Sequence, residues 1–219
     1  MTVSLSFQPL GDTGIRVGMG DEISEETNRR IRGYCNWLQR EAIPGVVEWV
    51  PTYCAVTVYY HPHQISYQEL CNRLCVSKKV LEETGKTEGT VTVLPVVYGG
   101  EYGPDLEDVA QFNGLTPSEV IAIHTQPLYR VYMIGFAPGF PYLGGMSEAI
   151  ATPRLDHPRL RIPAGSVGIA GSQTGVYSLE SPGGWRIIGR TLVRLYDPYR
   201  EVPAQLKAGD FVRFQAVDS

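Results

Sequence analysis

Apolar and polar residues alternate over residues 4–10 and 15–19, on either side of Gly11-Asp12-Thr13-Gly14. Alternation around a glycine turn predicts two short strands. The period then lengthens. Ile31, Tyr34, Cys35, Leu38 and Ala42 recur at steps of three and four after Ser24, which predicts a helix capped by Ser24 and running to about Arg40. Strands are predicted over 46–50 and 55–60, set apart by Pro44-Gly45 and Pro51. A second helix starts at Ser66, with Glu69 placed to complete a capping box and Tyr67, Leu70, Cys71, Leu74 and Leu81 as its stripe. The order ββαββα predicts a small α+β domain, with helices on one face of an antiparallel sheet. The polar stretch 82–89 reads as a boundary, giving domains over 1–85 and 90–219.

Beyond the boundary the pattern is a β-branched strand over 91–98 and two short helices over 105–113 and 116–124. Thr116, Pro117 and Glu119 make a strong helix start, and Asn113-Gly114 ends the helix before it. Strands follow over 129–134, 192–196 and 211–214. Between residues 131 and 190 stand 17 of the chain's 40 glycines and prolines. That density excludes helix and predicts a turn-rich β region, since apolar runs interleave with the glycines.

Composition narrows the partners. The 219 residues carry 19 Lys+Arg against 23 Asp+Glu, which argues against a nucleic-acid backbone binder and against an anionic membrane. No leader-like segment and no membrane-length apolar run is seen, and Cys35, Cys54, Cys71 and Cys75 sit in segments that read as core. A cytoplasmic protein with reduced thiols is expected. His61, His63, Cys71 and Cys75 are possible zinc ligands by type, but the two cysteines belong to a helical stripe, so no metal is assigned.

No phosphate-binding P-loop, Ser nucleophile elbow or zinc helix is present. Other residues are candidates for chemistry. Phe136, Pro138, Phe140 and Pro141 lie on an aromatic loop that reads as a hydrophobic plug, a pocket wall or both. Arg154, Arg159 and Arg161 cluster, and strand spacing puts the last two on one side; they read as an anion site or as a solvated basic edge. Gly165, Gly168 and Gly171 recur every third residue, as an anion-cradling nest or a barrel corner would require, with Ser166, Gln173 and Thr174 as neutral donors and acceptors. Trp185, Arg186 and Arg190 surround another turn. Asp105 and His124 are the acid/base candidates, against a capping role for the first and a structural role for the second.

Several stretches together resemble one family: Tyr98-Gly-Gly-Glu-Tyr-Gly-Pro-Asp-Leu106, Asn113-Gly-Leu-Thr-Pro117, Gly135-Phe-Ala-Pro-Gly-Phe-Pro-Tyr-Leu-Gly-Gly145, residues 162–177 and residues 181–191. The sequence is similar to the family of 5-oxoprolinase B subunits, also described as the KipI or allophanate hydrolase subunit 1 family. Ser178 departs from the family's usual proline, and His61 from a common aspartate. The resemblance implies a cyclophilin-like β-barrel after the α+β domain. It implies a protein that acts with the A and C subunits of 5-oxoprolinase to open 5-oxoproline to glutamate. ATP and Mg would be bound jointly with the C subunit, and the lactam activated by phosphorylation. Arg190 is then expected to act with Asp105 and His124 in catalysis. The resemblance also implies a second possibility, inhibition of a sporulation histidine kinase held in an aromatic groove.

Overall fold

The computed structural model describes residues 5–75 and 89–218. The chain divides into two compact units, residues 1–87 and 88–219. The predicted helical position Leu81 and residues 82–88 of the predicted boundary lie outside the described residues.

The first unit runs β1 (Ser6–Leu10), β2 (Gly14–Gly18), α1 (Glu25–Glu41), β3 (Val46–Pro51), β4 (Ala55–Tyr60), α2 (Tyr67–Leu74). Its antiparallel sheet has the order β1-β2-β4-β3. Ile15 faces Val58 and Val17 faces Val56 across β2 and β4. These four share one core with Ile31, Tyr34 and Leu38 of α1 and Leu70 and Leu74 of α2, while Arg16 between them points out. The Tyr34 hydroxyl donates to the Leu74 carbonyl at 2.9 Å, tying α1 to the end of α2.

Two local expectations change. Helix α1 ends at Glu41, so Ala42 leaves the stripe; it turns to φ 43° and its N–H bonds to the Leu38 carbonyl. Ser66 does cap α2 through the Glu69 N–H, but the Glu69 carboxylate pairs with Arg73 at 3.0 Å, and no capping box closes. Cys35 and Cys71 pack at the core edge, whereas Cys75 is exposed. Among the described residues no three His, Cys, Asp or Glu side chains come together as a metal site would require.

The second unit runs β5 (Val91–Tyr98), α3 (Leu106–Asn113), α4 (Pro117–Thr125), β6 (Tyr129–Ile134), β7 (Pro141–Gly144), a 3-10 turn (Glu148–Ile150), β8 (Arg159–Ile162), β9 (Ser166–Ala170), β10 (Gln173–Val176), β11 (Ser181–Gly183), β12 (Arg186–Arg190) and β13 (Phe211–Ala216). Seven strands close into a barrel in the order β10-β7-β6-β13-β5-β12-β9, and β8 with β11 forms a separate ribbon. Closure leaves these seven strands no open edge. Strand β13 runs parallel to β5; the remaining pairs are antiparallel. Residues 192–196, expected as a strand, form none: Tyr196 makes a single bridge to Ala204.

Strand β9 is buried along its whole length because both its faces are covered. Val167 and Ile169 point into the barrel core with Leu94, Val131, Ile188 and Phe214. Ala170 points the other way, into a second cluster with Phe140, Ile162, Tyr177, Trp185 and Ile187. Gly168 and Gly175 are register partners beneath that cluster. A Cβ on Gly175 would lie 3.0 Å from Phe140 and 3.1 Å from Trp185, so glycine here makes room for the rings.

Candidate functional site

Asp105 directly precedes α3, yet its side chain makes no cap bond. The buried carboxylate instead accepts both terminal nitrogens of Arg159, at 2.8 and 2.6 Å, and the Ile187 N–H at 2.6 Å. The Asp105 N–H returns a bond to the Ile187 carbonyl at 2.9 Å. A forked pair of this kind fixes the plane of the guanidinium as well as its charge. Asp105 therefore holds the start of α3, strand β12 and the ribbon strand β8 in register, and its carboxylate is occupied from both sides. It is a positioning residue, and the expected helix cap is replaced by this pairing.

Arg159 lines a cleft of about 220 Å³ with Arg161, Arg190, Ser166, Glu101 and Tyr102. Alternation along β8 does put Arg159 and Arg161 on one side, with Leu160 between them 93% exposed. Arg161 pairs with Glu180 at 2.7 Å in solvent. The Arg190 Nε donates to the Ala164 carbonyl at 2.9 Å, which anchors its guanidinium at the cleft wall. Asp105 and Glu180 balance Arg159 and Arg161, so Arg190, bonded to a carbonyl and to no carboxylate among the described residues, is the guanidinium left to meet an anion in this cleft. Glu101 and Tyr102 were not singled out from the sequence, although both stand in the motif that ends at Leu106, one residue past Asp105.

His124 lies elsewhere. It is fully buried in the last turn of α4, with its ring 4.5 Å from that of Phe214. The Thr174 hydroxyl donates to the Gly168 carbonyl at 3.0 Å, so it can only accept from His124 Nε2 at 2.9 Å. Nδ1 is then the acceptor for the Tyr98 hydroxyl at 2.8 Å. Burial pushes the imidazole down to about 3. Neutral, doubly bonded and out of reach of solvent, His124 has no nitrogen to offer a substrate, which corrects its place among the acid/base candidates. Thr174 is likewise an internal partner.

The aromatic segment also splits. Phe140 and Trp185 are buried in the second cluster and Pro141 is buried at the start of β7, so they do not line an open groove. Phe136 is 63% exposed, with its ring edge-on to Phe140 and Tyr177. Its φ is 66°, and the Ala137 N–H bonds to the Gly135 carbonyl at 2.8 Å around it, the geometry of a strained left-handed γ-turn. Pro138 is exposed, and its carbonyl accepts the Ser178 hydroxyl at 2.6 Å. Ser178, the departure from the family pattern, thus contributes a bond that proline has no group to make.

Arg154 lies outside the cleft, with its charge felt at the Tyr142 and Tyr177 hydroxyls. Gln173 opens β10 opposite Ala170. The glycine nest is not formed. The N–H groups of Gly165, Ser166 and Gly171 donate to the Tyr177, Pro163 and Thr152 carbonyls, and these glycines serve a barrel turn and its hairpin.

The chain matches the family model for the carboxyltransferase domain, subdomain C and D, over residues 5–206. It is 44% identical to the B subunit of 5-oxoprolinase from Bacillus subtilis, over 98% of this chain and 93% of that protein. It is 40% identical to the B subunit of 5-oxoprolinase from Haemophilus influenzae, over 96% of this chain and 97% of that protein. The crystal structure of TTHA0988 superposes with TM-score 0.83 at 43% identity, covering 94% of this chain and 40% of that chain. The urea amidolyase of K. lactis shares the fold at TM-score 0.79 and 20% identity, over 97% of this chain and 15% of that chain. The motifs that carry the resemblance, the barrel they build and these relatives agree: the chain belongs to the family of 5-oxoprolinase B subunits, within the carboxyltransferase subdomain C and D group.

Proposed function

We propose that this chain is the B subunit of an ATP-dependent 5-oxoprolinase and that its arginine cleft stabilises the phosphoryl group transferred to the lactam. The observation that carries the reading is Arg159 clamped by buried Asp105 beside Arg190, of which only Nε is engaged among the described residues. A lactam is a poor electrophile, and phosphorylating its oxygen supplies a leaving group. In that step the lactam oxygen bonds to phosphorus while the bond to the ADP oxygen breaks. Such transfers depend on positioning and on charge placed before the reaction. Arg159 and Arg190 would hold the phosphoryl oxygens, with Ser166 on the same wall. Magnesium binds as a hydrated ion carried by phosphates and one or two carboxylates. Glu101 is the carboxylate lining the cleft.

The reaction is shared with the A and C subunits. Leu160, between Arg159 and Arg161 on β8, and Leu192, two residues past Arg190, are both about nine-tenths exposed, as large apolar side chains are where a second protein covers them. TTHA0988, of which this chain matches 40%, continues well past the same module. The test is 5-oxoproline-dependent ATP hydrolysis with the three proteins added singly and together. This chain alone is expected to be inactive, and Arg190→Ala or Arg161→Ala is expected to lower turnover of the assembled enzyme. Full activity from this chain alone removes the shared site, and unchanged turnover in both variants removes the anion assignment.

A further inference from the structure

Arg190 lines more than the arginine cleft. A larger cleft of about 410 Å³ lies along the irregular segment after β12, with Arg190, Arg194, Tyr196, Asp197 and Tyr199 among its walls. Of the two, the larger falls within the usual volume of small-molecule sites and the smaller falls below it. Arg190 is common to both. Its Nε is held by the Ala164 carbonyl, and its two terminal nitrogens bond to no other group among the described residues. That leaves a fixed fork of donors where the clefts meet.

The far wall is densely bonded for an exposed segment. Asp197 accepts the Tyr199 N–H at 3.1 Å and the Arg194 guanidinium at 3.2 Å, its N–H bonds to the Pro203 carbonyl at 2.9 Å, and its carbonyl accepts the Arg200 N–H at 3.2 Å. The Tyr199 N–H is the main influence holding the Asp197 carboxyl below its ordinary value. These bonds fix a tight turn that presents the Tyr199 ring 96% exposed. An exposed ring that lines a cleft offers its face for stacking.

We infer that the larger cleft receives the nucleoside end of a nucleoside phosphate, with the base on Tyr199 and the phosphates reaching Arg190 toward the smaller cleft. A single nucleotide then spans both clefts, and its terminal phosphate arrives beside Arg159. This rests on the reading of the arginine cleft as a phosphoryl site. It adds that this chain recognises the nucleoside as well as the charge.

The test uses this chain assembled with the A and C subunits, without 5-oxoproline, and titration calorimetry with ATP and with inorganic tripolyphosphate. ATP is expected to bind more tightly than tripolyphosphate. Tyr199→Ala is expected to weaken ATP about tenfold, as loss of one base–aromatic stack does, to leave tripolyphosphate unchanged, and to be rescued by Tyr199→Trp. Arg190→Gln is expected to weaken both ligands. Equal affinities for the two ligands, or ATP binding indifferent to Tyr199→Ala, overturns the nucleoside site while the phosphoryl cleft stands. Tripolyphosphate that does not bind, or that binds Arg190→Gln as well as it binds the parent chain, overturns the phosphoryl reading beneath it. Because Tyr199 is exposed, loss of ATP affinity in its variant does not report unfolding.

Discussion

Asp105 and His124 are both buried, titratable and fully hydrogen-bonded, and both belong to the barrel unit. What differs is the direction in which their partners face. Asp105 is bonded to Arg159, whose guanidinium is a third exposed and lines a cleft. His124 is bonded to Tyr98 and to Thr174, which is itself buried and bonded onward to the Gly168 carbonyl. One network ends at the surface and the other closes on the core. A buried polar group serves a site only through the neighbours it sets in place.

Removing Asp105 is the strongest way to break this contrast. Asp105→Ala strands a guanidinium and the Ile187 N–H. A loss of about 3 kcal/mol in urea unfolding is expected, toward the low end for a severed ion pair because Arg159 keeps some water. Turnover of the assembled enzyme is expected to fall by more than the loss of folded protein explains. Wild-type turnover per folded molecule would show that Arg159 needs no clamp.

His124→Gln tests the other half. One amide cannot reach both Tyr98 and Thr174, so about 1–3 kcal/mol of stability is expected to go, with turnover per folded molecule unchanged. The pH dependence gives a second signature. Burial lowers the His124 pKa from 6.5 to about 3 on folding. The unfolded chain therefore binds a proton between those values that the folded chain refuses. This contribution to stability is complete above pH 6.5 and is lost as pH falls toward about 3, with a slope of at most about 1.4 kcal/mol per pH unit. Urea midpoints between about pH 7 and 4 should fall less steeply in His124→Gln than in the parent chain. Parallel slopes would mean that His124 titrates as freely in the fold as out of it.

Much of this architecture was legible because each element repeats one local rule. The stripe of α1, the Thr116 start of α4 and the alternation of β2 all rest on near neighbours. Part of the cleft's lining was legible by residue type, since Arg159, Arg161, Ser166 and Arg190 do meet in one cleft. What stayed hidden depends on partners far along the chain. Asp105 is 54 residues from Arg159 and 82 from Ile187, and no spacing rule distinguishes that pairing from a helix cap. His124 meets Thr174 50 residues on. The glycine run reads equally as a nest or a barrel corner, because three residues apart is a short-range pattern; what decides for the corner is that the Gly165 and Gly171 N–H groups bond to Tyr177 and Thr152, 12 and 19 residues away.

The smallest expected effects come from Ala42 and Phe136, the two non-glycine residues at positive φ among the described residues. Each carries a backbone cost of about 1–2 kcal/mol that glycine would relieve. Ala42 ends helix α1 in the manner usually left to glycine, and its methyl carries no ring or polar group. Ala42→Gly should therefore raise stability by up to about 1 kcal/mol, read from the urea midpoint, since the flexible unfolded glycine offsets part of the gain. Phe136→Gly relieves the same strain but deletes the edge-on contacts with Phe140 and Tyr177, each ring pair worth about 0.5–1.5 kcal/mol. The two effects nearly cancel, so its midpoint should move by less than about 1 kcal/mol in either direction. If Phe136→Gly nonetheless lowers turnover of the assembled enzyme while Ala42→Gly leaves it unchanged, strain at Phe136 serves to hold an exposed ring outward. That is the same distinction that separates Asp105 from His124, drawn now in backbone geometry. A Phe136→Gly chain with full turnover would instead leave Phe136 as a second Ala42.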